Sequence, residues 1–487
     1  MTFAARLVLL GGATVLAFYS GGYFSEQQAW AGLVAWALVA VGIVVVPSAL
    51  PRGRYAWLAL GALALLAGWT LASIAWAPIA GSAYHAGQLV VLYLGVLLAA
   101  VILLRSPGAQ QAVEPALAAG ALLVIGYGIS ERLLPGLLHF ARSTSAQGRL
   151  EQPLTYWNAM GELAALGFVL CARMAGDRTR PLRLRVAAAA ASAPLGMGLY
   201  LSFSRGALFA CVAGLVALIV AAPRREQLQG ILVAVCAGVL AALVAAPFRG
   251  VTSLADSLAT RERQGAIALV ALVAIVIAAG AAQWLLARRG GARELRLPRH
   301  GPWAALAVIC AGLTLAIAVG AKESTSAPLS AGAGRLVTFQ SNRYDYWKVA
   351  LRAFAAEPLH GVGAGGWAVW WLRYRQINDF AQDAHSLPLQ TLAELGLVGI
   401  ALLAALVAGI ALAARAAHRI APGAAAGAIA AVVAYAAHAP LDWDWQMPAV
   451  TIVALVLAGM LVAQGEPPAE RAPLAVRAPP RSAAPHA

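Results

Sequence analysis

The pattern best suited to chemistry is Asp383-Ala-His385, which lies just before a long apolar segment. A neutral imidazole near pH 7 can take a proton from an attacking hydroxyl, which makes His385 the candidate general base. A lone histidine is more often structural than catalytic. Here, however, Asp383 and an arginine-rich segment upstream place a base near cations that can hold an anion. This combination favours catalysis on an anionic substrate.

Arginines also occur at the ends of several apolar segments. A guanidinium at a membrane boundary is costly without an anionic partner, and its planar fork matches the oxygens of a phosphate. For Arg205, in Ser202-Phe-Ser-Arg-Gly206, the partner is either a phosphate or a protein carboxylate such as Glu162 or Asp442. Arg142, Arg149 and Asn158 are expected on the same side of the membrane and are further candidates for binding the anionic substrate.

A second acidic pattern, Asp442-Trp-Asp-Trp445, comes before the last apolar segment. Its carboxylates can accept hydrogen bonds from sugar hydroxyls while the indoles stack on sugar rings. The same carboxylates are equally suited to pair with the arginines, so both interpretations stay open. The candidate glycan-binding or ion-pairing side chains are Tyr346, Trp347, Asp383, Asp442 and Asp444. We expect no metal site, because nothing metal-specific marks the spacing of Asp442, Asp444, His438 and His385.

The composition requires that membrane helices position these side chains. Of the 487 residues, 61% are hydrophobic and 11% are charged, and the mean hydropathy is +0.76, whereas soluble domains contain about 25% charged residues. The net charge of +15 does not indicate nucleic-acid binding, because the basic residues are scattered over many short loops, where topology and anionic lipid explain them. We therefore expect membrane lipids, and no nucleic acid, among the partners.

Fourteen apolar segments are suited to span a hydrocarbon core about 30 Å thick. Placing both termini in the cytoplasm puts most short-loop arginines there, as the positive-inside rule requires, and leaves His385 on the extracytoplasmic face. The expected fold is an all-α polytopic membrane protein with about 12–14 transmembrane helices. The predicted spans are 3–21, 29–47, 55–74, 86–104, 113–130, 157–174, 184–200, 206–222, 227–246, 264–286, 302–320, 391–413, 422–438 and 447–464.

One loop, residues 321–390, is much longer than the others and is rich in aromatic residues and arginine. Long loops in a compact architecture are usually functional. Within it, Asn342–Ala356 is predicted to form an amphipathic helix with Trp347, Ala350, Leu351 and Phe354 on its apolar face. Glycines 361, 363, 365 and 366 allow positive φ and a close approach of the backbone to a ligand. The C-terminal tail, residues 465–487, is predicted to be disordered and cytoplasmic.

Three segments of this region resemble the signature of the O-antigen ligase and polymerase superfamily. They are Asn342-Arg-Tyr-Asp-Tyr-Trp347, the Pro-Leu-x-Gly-x-Gly-x-Gly segment 358–365, and the thirteen residues from Ala384 to Gly396. Ser204-Arg-Gly206 and Asn158 match other recurrent positions of that family. The resemblance covers most of the chain and is strongest between residues 335 and 400.

The resemblance implies a glycosyltransferase-C-like membrane enzyme of the bacterial inner membrane that works without a metal or other cofactor. Its donor would be a glycan on undecaprenyl pyrophosphate, and its acceptor a hydroxyl of a lipid, a glycan or a protein. The arginines and the histidine of the family's large loop correspond to Arg343, Arg352 and His385, and its outer-turn arginine corresponds to Arg205.

On this basis we expect Arg205, Arg343 and Arg352 to bind the pyrophosphate while His385 takes the proton of the acceptor, with inversion at the anomeric carbon. Polymerisation, in which the acceptor is another carrier-linked repeat, is an alternative within the same superfamily. A flippase for the polyprenyl-linked glycan is an alternative of another class. A transporter should place its charges near the membrane midplane in repeated halves, whereas this sequence gathers its polar residues in outer loops.

Overall fold

The computed structural model describes residues 1–47, 49–289, 300–320, 336 and 341–466, which fold into a helical bundle. Most of residues 321–340, at the start of the long loop, and nearly all of the C-terminal tail lie outside the described residues. The helices are α1 (Thr2–Ala17), α2 (Ser25–Val45), α3 (Arg54–Ala72), α4 (Ala80–Leu103), α5 (Pro107–Leu133), α6 (Trp157–Gly176), α7 (Leu182–Leu201), α8 (Arg205–Ala221), α9 (Arg225–Ala245), α10 (Arg249–Thr252), α11 (Leu258–Arg288), α12 (Gly301–Gly320), α13 (Arg343–Ala356), α14 (Gly366–Tyr374), α15 (Leu387–Ile420), α16 (Pro422–His438) and α17 (Pro448–Gln464).

The predicted all-α polytopic architecture is confirmed. Each of the fourteen predicted spans coincides with a helix. These helices differ in whether they are long and apolar enough to cross a bilayer. Within the described part of the chain, nine helices are long and apolar enough to cross a bilayer, namely α2, α3, α4, α5, α6, α7, α9, α11 and α15. Four other apolar helices, α1, α8, α16 and α17, have 16 or 17 residues. At 1.5 Å per residue they fall a few ångströms short of the hydrocarbon thickness.

Small residues bring the inner helices together. The apolar window of α6 is buried along its whole length, and α6 packs against α5, α7, α8, α9 and α16. A Cβ on Gly167 would lie 2.7 Å from the Cβ of Ala121 in α5, and one on Gly176 would lie 2.6 Å from the backbone of Gln227 in α9. Such contacts let helices approach closely where hydrophobic burial gives no advantage. By contrast, α2 and α11 expose most of their apolar side chains, as helices that face lipid do.

The candidate residues gather at one end of this bundle, which we call the site end. Here α5, α7 and α16 finish and α11 begins. The starts of α6, α8 and α15 lie beside them. Two backbone hydrogen bonds join the connections: Leu150 N donates to Leu201 O at 3.0 Å, and Leu387 N donates to Ala439 O at 2.9 Å. Segments that are distant in the sequence therefore meet at this end.

The long loop contributes a small aromatic core at the site end. Helix α13 confirms the predicted helix at Asn342–Ala356, but the face that we assigned as apolar is wrong. The buried side chains are Tyr346, Val349, Ala350 and Ala353, whereas Leu351 is 50% exposed. The reason is that α13 packs against the stacked indoles Trp367 and Trp371 of α14 and against α15, so tertiary contacts decide which stripe is buried.

Candidate active site

His385 lies at the turn that leads into α15, in a backbone conformation that non-glycine residues rarely adopt, with φ of 53°. Its Nδ1 is 2.9 Å from the carbonyl oxygen of Asp383. Because a carbonyl only accepts hydrogen bonds, Nδ1 must carry the proton, and the lone pair of a neutral ring then lies on Nε2. The half-buried ring packs beside Tyr346 and Trp443, at centroid distances of 5.1 and 6.1 Å. The backbone and two aromatic rings therefore fix both the tautomer and the orientation of the imidazole.

Burial lowers the pKa of His385 from 6.5 to about 4. The Arg343 guanidinium lowers the pKa further, while the Asp442 carboxylate and the hydrogen bond to Asp383 act against the shift. The net direction is the one that desolvation of an imidazolium predicts. His385 is consequently neutral near pH 7 and its Nε2 can accept a proton.

Arg343, the first residue of α13, forms the strongest charge contact of the site. Its Nη2 donates to Asp442 Oδ2 at 2.6 Å, and the Asp442 side chain is fully buried while that of Arg343 is 21% exposed. The other Asp442 oxygen accepts from the Tyr156 hydroxyl at 2.6 Å, and that hydroxyl accepts from the Asn158 amide at 2.7 Å. Three segments of the chain thus hold one guanidinium in a fixed orientation.

The charges of this pair stabilise each other. Burial alone would raise the pKa of Asp442, but Arg343, followed by the neighbouring histidines, holds it below the usual range of an aspartate. Burial alone would lower the pKa of Arg343, yet Asp442 and Tyr156 raise it. Both groups are therefore charged at neutral pH, and within the described ranges Asp442 is the one hydrogen-bond partner seen for the Arg343 guanidinium.

Behind this pair lies a second buried group of side chains formed by Asp444, His438 and Glu162. The imidazole Nδ1 of His438 makes a short hydrogen bond with Asp444 Oδ2 and lies 3.9 Å from Glu162 Oε2. A Cβ on Gly206 would lie 2.8 Å from His438 Nε2. The turn that carries Arg205 therefore packs directly against His438. Asp444 of the same group is two residues from Asp442 in the sequence.

Of the two interpretations of Asp442-Trp-Asp-Trp445, these contacts favour ion pairing. Asp442 pairs with an arginine, as one of them requires, and Asp444 pairs with a histidine. Both indoles are half-buried and line a small cavity, and each also packs on an aromatic ring of the bundle: Trp443 lies 4.4 Å from Tyr156 and Trp445 lies 4.8 Å from Tyr93, measured between ring centroids. The acidic segment consequently supports the site from within and does not present its carboxylates to a glycan. The ligand types considered for a binuclear metal site are engaged in these same contacts.

Asp383 belongs to the turn that holds His385. Burial raises the pKa of its carboxyl to about 6, although hydrogen bonds from Gln390 and Gln446 oppose the shift. Gln390 Nε2 donates to Asp383 Oδ1 at 2.9 Å, and the Ala384 amide donates to Gln390 Oε1 at 3.3 Å. Gln390, one turn into α15, therefore binds both Asp383 and Ala384, the two residues that precede His385.

Tyr346 and Trp347, the aromatic candidates of α13, have different surroundings. Tyr346 is buried, and its hydroxyl donates to Asp379, which also accepts from the Asn342 amide at 2.7 Å. Trp347 is half-buried beside Tyr344, and its indole N–H has no partner among the described residues. Tyr346 thus orders the loop, whereas the buried N–H of Trp347 forms no hydrogen bond with the described residues.

Three of the candidate arginines are engaged elsewhere. Arg352 is exposed on the opposite face of α13 from Arg343, and its guanidinium lies 3.8 Å from the ring centroid of Tyr374. Arg142 pairs with Glu131 at 2.6 Å. Arg149 is buried over the Trp157 ring and donates to the carbonyls of Ser145 and Ala146. Arg352 and Arg142 thus have other partners than Asp442, whereas Arg149 lies over the residue that follows Tyr156 in the sequence.

The glycine-rich segment after α13 contacts protein backbone. The positive φ values expected at Gly361, Gly363 and Gly365 are observed, whereas the one expected at Gly366 is not, because this residue begins α14. The amide of Gly363 donates to Glu394 O at 2.9 Å, and a Cβ on this glycine would lie 2.4 Å from the Cα of Ala77. These glycines therefore fasten the loop to α15, which is a different use from the close approach to a ligand that we expected.

Sequence reasoning underrated Tyr156 and missed Asp379. Tyr156 was visible only as part of an aromatic segment, and nothing in its spacing links it to Asp442, 286 residues away. Asp379 is an acid in an arginine-rich loop, a signal that pointed to an ion pair. In the structure its carboxylate accepts hydrogen bonds from the Tyr346 hydroxyl and the Asn342 amide. Its backbone carbonyl accepts from the side chains of Trp371 and Arg375.

The arrangement combines a neutral base with an anchored cation. Nε2 of His385 is suited to take a proton, and the open edge of Arg343 is suited to hold an anionic group. A small cavity of about 60 Å³ lies at the start of α15, lined by residues that include Leu387, Gln390 and Trp443, the last of which packs beside the His385 ring. A reaction with a nucleophilic hydroxyl and an anionic leaving group fits this chemistry.

Comparison with known proteins supports this assignment. No curated protein matches the chain, but residues 248–404 match the Wzy_C family model, described as O-antigen ligase. This range contains Arg343, His385 and the whole described part of the long loop. The partners Tyr156, Asn158 and Asp442 lie outside it. The chain is therefore a multi-pass membrane protein that contains a Wzy_C O-antigen ligase family domain, and a domain of this family implies a transferase of the O-antigen ligase and polymerase type whose substrates are lipid-linked glycans.

Proposed function

We propose that the protein transfers a glycan from undecaprenyl pyrophosphate to the hydroxyl of an acceptor, in the manner of an O-antigen ligase. The observation that supports this proposal best is the placement of a base and a cation in one connected group. Asp442 pairs with Arg343 at 2.6 Å, and the His385 ring packs beside Trp443, the residue after Asp442, and beside Tyr346 of the helix that Arg343 begins.

Arg343 would bind the leaving group. As the bond between the anomeric carbon and the phosphate oxygen breaks, negative charge grows on the pyrophosphate. A guanidinium that is already oriented stabilises this charge without reorganising at the moment of reaction. Asp442 and Tyr156 supply that orientation. Arg205, on the turn seated against His438, would contribute a second cation from α8.

His385 would activate the acceptor. The hydroxyl oxygen attacks the anomeric carbon, its proton passes to Nε2 of His385, and the electron pair of the broken bond leaves with the pyrophosphate. A single displacement of this kind inverts the configuration at the anomeric carbon. The bound pyrophosphate is a good leaving group, so we propose that neither a general acid nor a metal ion takes part.

The orientation in the membrane follows from charge. The end of the bundle opposite the site carries the arginine-rich connections between α6 and α7 and between α8 and α9. By the positive-inside rule this end is cytoplasmic, which places both termini in the cytoplasm and His385 on the extracytoplasmic face of the bacterial inner membrane.

The flippase alternative gains no specific support from the one broken helix at the site. Helix α15 is interrupted at Gly396, and unwound helices often bind substrates in transporters. Here the break is filled by protein: Leu397 N donates to Pro358 O at 2.9 Å, and Gly363 N donates to Glu394 O at the same distance.

A transfer assay tests the proposal. Purified protein in detergent is given a glycan on undecaprenyl pyrophosphate and a panel of lipid, glycan and protein acceptors, with and without EDTA. We expect release of undecaprenyl pyrophosphate that EDTA does not reduce, and losses of about a hundredfold or more in His385→Ala and Arg343→Ala. The acceptor that is consumed separates ligation from polymerisation. Carrier crossing the bilayer of proteoliposomes without glycan transfer would replace the transferase by a flippase.

A further inference from the structure

A crevice of about 250 Å³ opens at the end of the bundle opposite the site end. It lies where α6 leads into α7, where α9 begins and where α11 finishes. The basic side chains that line it are Arg178, Arg185, Arg225 and Arg289. None of the residues placed at the active site takes part in it, so it is a separate feature of the molecule.

The charges of the crevice are not balanced by the described protein. Its one acidic lining residue is Glu226, which pairs with Arg178 at 3.3 Å. Arg185 is buried, and its Nε donates to the Ala175 carbonyl at 3.2 Å. Arg225 and Arg289 are exposed and have no side-chain partner within the described ranges. Four guanidinium groups facing one carboxylate leave a net positive lining suited to an anion.

Gln283 adds an independent observation that points to a ligand. It is only 2% exposed and belongs to the lining. Its Nε2 donates to the Ala175 carbonyl at 2.8 Å, whereas its Oε1 is buried without a hydrogen-bond partner among the described residues. A buried amide oxygen without a donor costs free energy, and a hydroxyl entering the crevice beside the arginines would supply that donor.

The surroundings of the crevice are those of the lipid interface. Below the arginines, α9 exposes Leu228 and Leu232, and α11 exposes Ile277 and Leu285. Acyl chains would lie along these apolar side chains while a headgroup occupies the crevice. Arginines at this level bind anionic headgroups through charge-assisted hydrogen bonds.

We propose that this crevice binds the phosphate of an anionic phospholipid whose headgroup also carries a hydroxyl, as phosphatidylglycerol does. Arg225 and Arg289 contact the phosphate oxygens, and the headgroup hydroxyl donates to Gln283 Oε1. A free phosphate offers the same chemistry to the arginines without the acyl chains, so the experiment includes both sources.

The test is a lipid titration of the full-length protein, followed by native mass spectrometry from detergent. The probes are phosphatidylglycerol, phosphatidic acid, phosphatidylcholine and inorganic phosphate. The variant is Arg225→Gln combined with Arg289→Gln. The matched control is Arg415→Gln combined with Arg419→Gln, which removes two exposed arginines from the C-terminal end of α15, at the same end of the bundle.

We expect the crevice variant to weaken phosphatidylglycerol binding at least tenfold, as the loss of charge-assisted hydrogen bonds predicts, and the control to stay within about twofold. Gln283→Leu should reduce the preference for phosphatidylglycerol over phosphatidic acid. Binding of inorganic phosphate that the crevice variant abolishes would assign the site to free phosphate. Equal losses in the variant and the control, or equal binding of phosphatidylcholine, would overturn the proposal.

Discussion

Arg343 and Asp442 make a 2.6 Å ion pair although 99 residues of sequence separate them. The arginine begins the first described helix of the long loop, and the aspartate follows α16, so the pair ties the loop to the transmembrane bundle. Because Asp442 also accepts the Tyr156 hydroxyl, the position of the guanidinium depends on the bundle as much as on the loop.

This pair gives the first prediction. Asp442→Asn keeps an acceptor for Tyr156 but removes the charge that orients Arg343, so we expect kcat/KM for transfer to fall about tenfold or more. Breaking a buried pair should also destabilise the protein by roughly 3–5 kcal/mol, which thermal unfolding in detergent measures. The control is Asp345→Asn, whose partner Lys348 is 74% exposed, and which should change neither quantity noticeably. Equal behaviour of the two variants would contradict the role given to Asp442.

The two arginines of α13 should differ sharply. Arg343→Ala removes the cation that faces His385, and we expect kcat to fall by about 10²–10³. Arg352→Ala removes a guanidinium that lies over Tyr374 on the exposed face of the helix, and activity should stay within about threefold of the wild type. Steady-state transfer kinetics of the two variants provide the measurement. A large loss of kcat in Arg352→Ala would show that the loop rearranges when the donor binds.

The pH dependence of transfer should reflect the lowered pKa of His385. The base works in its neutral form, and activity is lost as the pH falls through its pKa. With that pKa lowered to about 4, kcat/KM should be nearly constant from pH 8 down to about pH 5, whereas a histidine with the usual value near 6.5 would be half-protonated at pH 6.5. A profile that bends near pH 6.5, and that keeps its bend in His385→Ala, would show that another group is the base.

Gly396 offers a test of the backbone. Its φ of 63° and ψ of −159° are nearly exclusive to glycine, and a Cβ there would lie 2.3 Å from the Leu359 carbonyl oxygen. Gly396→Ala should therefore destabilise the protein by about 2–3 kcal/mol or more and reduce transfer. Gly61→Ala is the matched control, because no atom lies within 4 Å of a Cβ at that position in α3, and it should be neutral or stabilising by up to about 1 kcal/mol. Differential scanning fluorimetry compares the two.

The sequence predicted those features that depend on local pattern. The lengths of the apolar segments predicted fourteen spans, and a helix lies at each of them. The Asp383-Ala-His385 pattern identified His385, whose surroundings fit a base. The buried face of α13 was assigned wrongly because Trp347 and Leu351 are more apolar than the stripe of Tyr346 and Ala353 that packs on α14. Hydropathy ranks side chains, but the neighbouring indoles decide which of them are covered.

The partners within the site could not be derived from spacing. Asn158, Tyr156, Asp442 and Arg343 form one chain of hydrogen bonds across three separate segments. Their adjacency depends on how the helices pack, and the sequence contains no periodic signal for it. The same holds for Arg352, which shares a helix with Arg343 but lies nine positions away, a spacing that turns a side chain to the other face.

The break at Gly396 has a mechanical consequence. Backbone hydrogen bonds join both sides of the break to residues 358–363: Ala393 and Glu394 before it accept from Val362 and Gly363, and Leu397 and Val398 after it donate to Pro358 and Leu359. A bilayer that becomes thinner or thicker changes the tilt of a spanning helix. Because one loop segment holds both sides of the break, the catalytic turn, the end of α13 and the start of the spanning part of α15 are tied together. A change of tilt therefore moves them as one unit and need not change the position of the imidazole relative to Arg343.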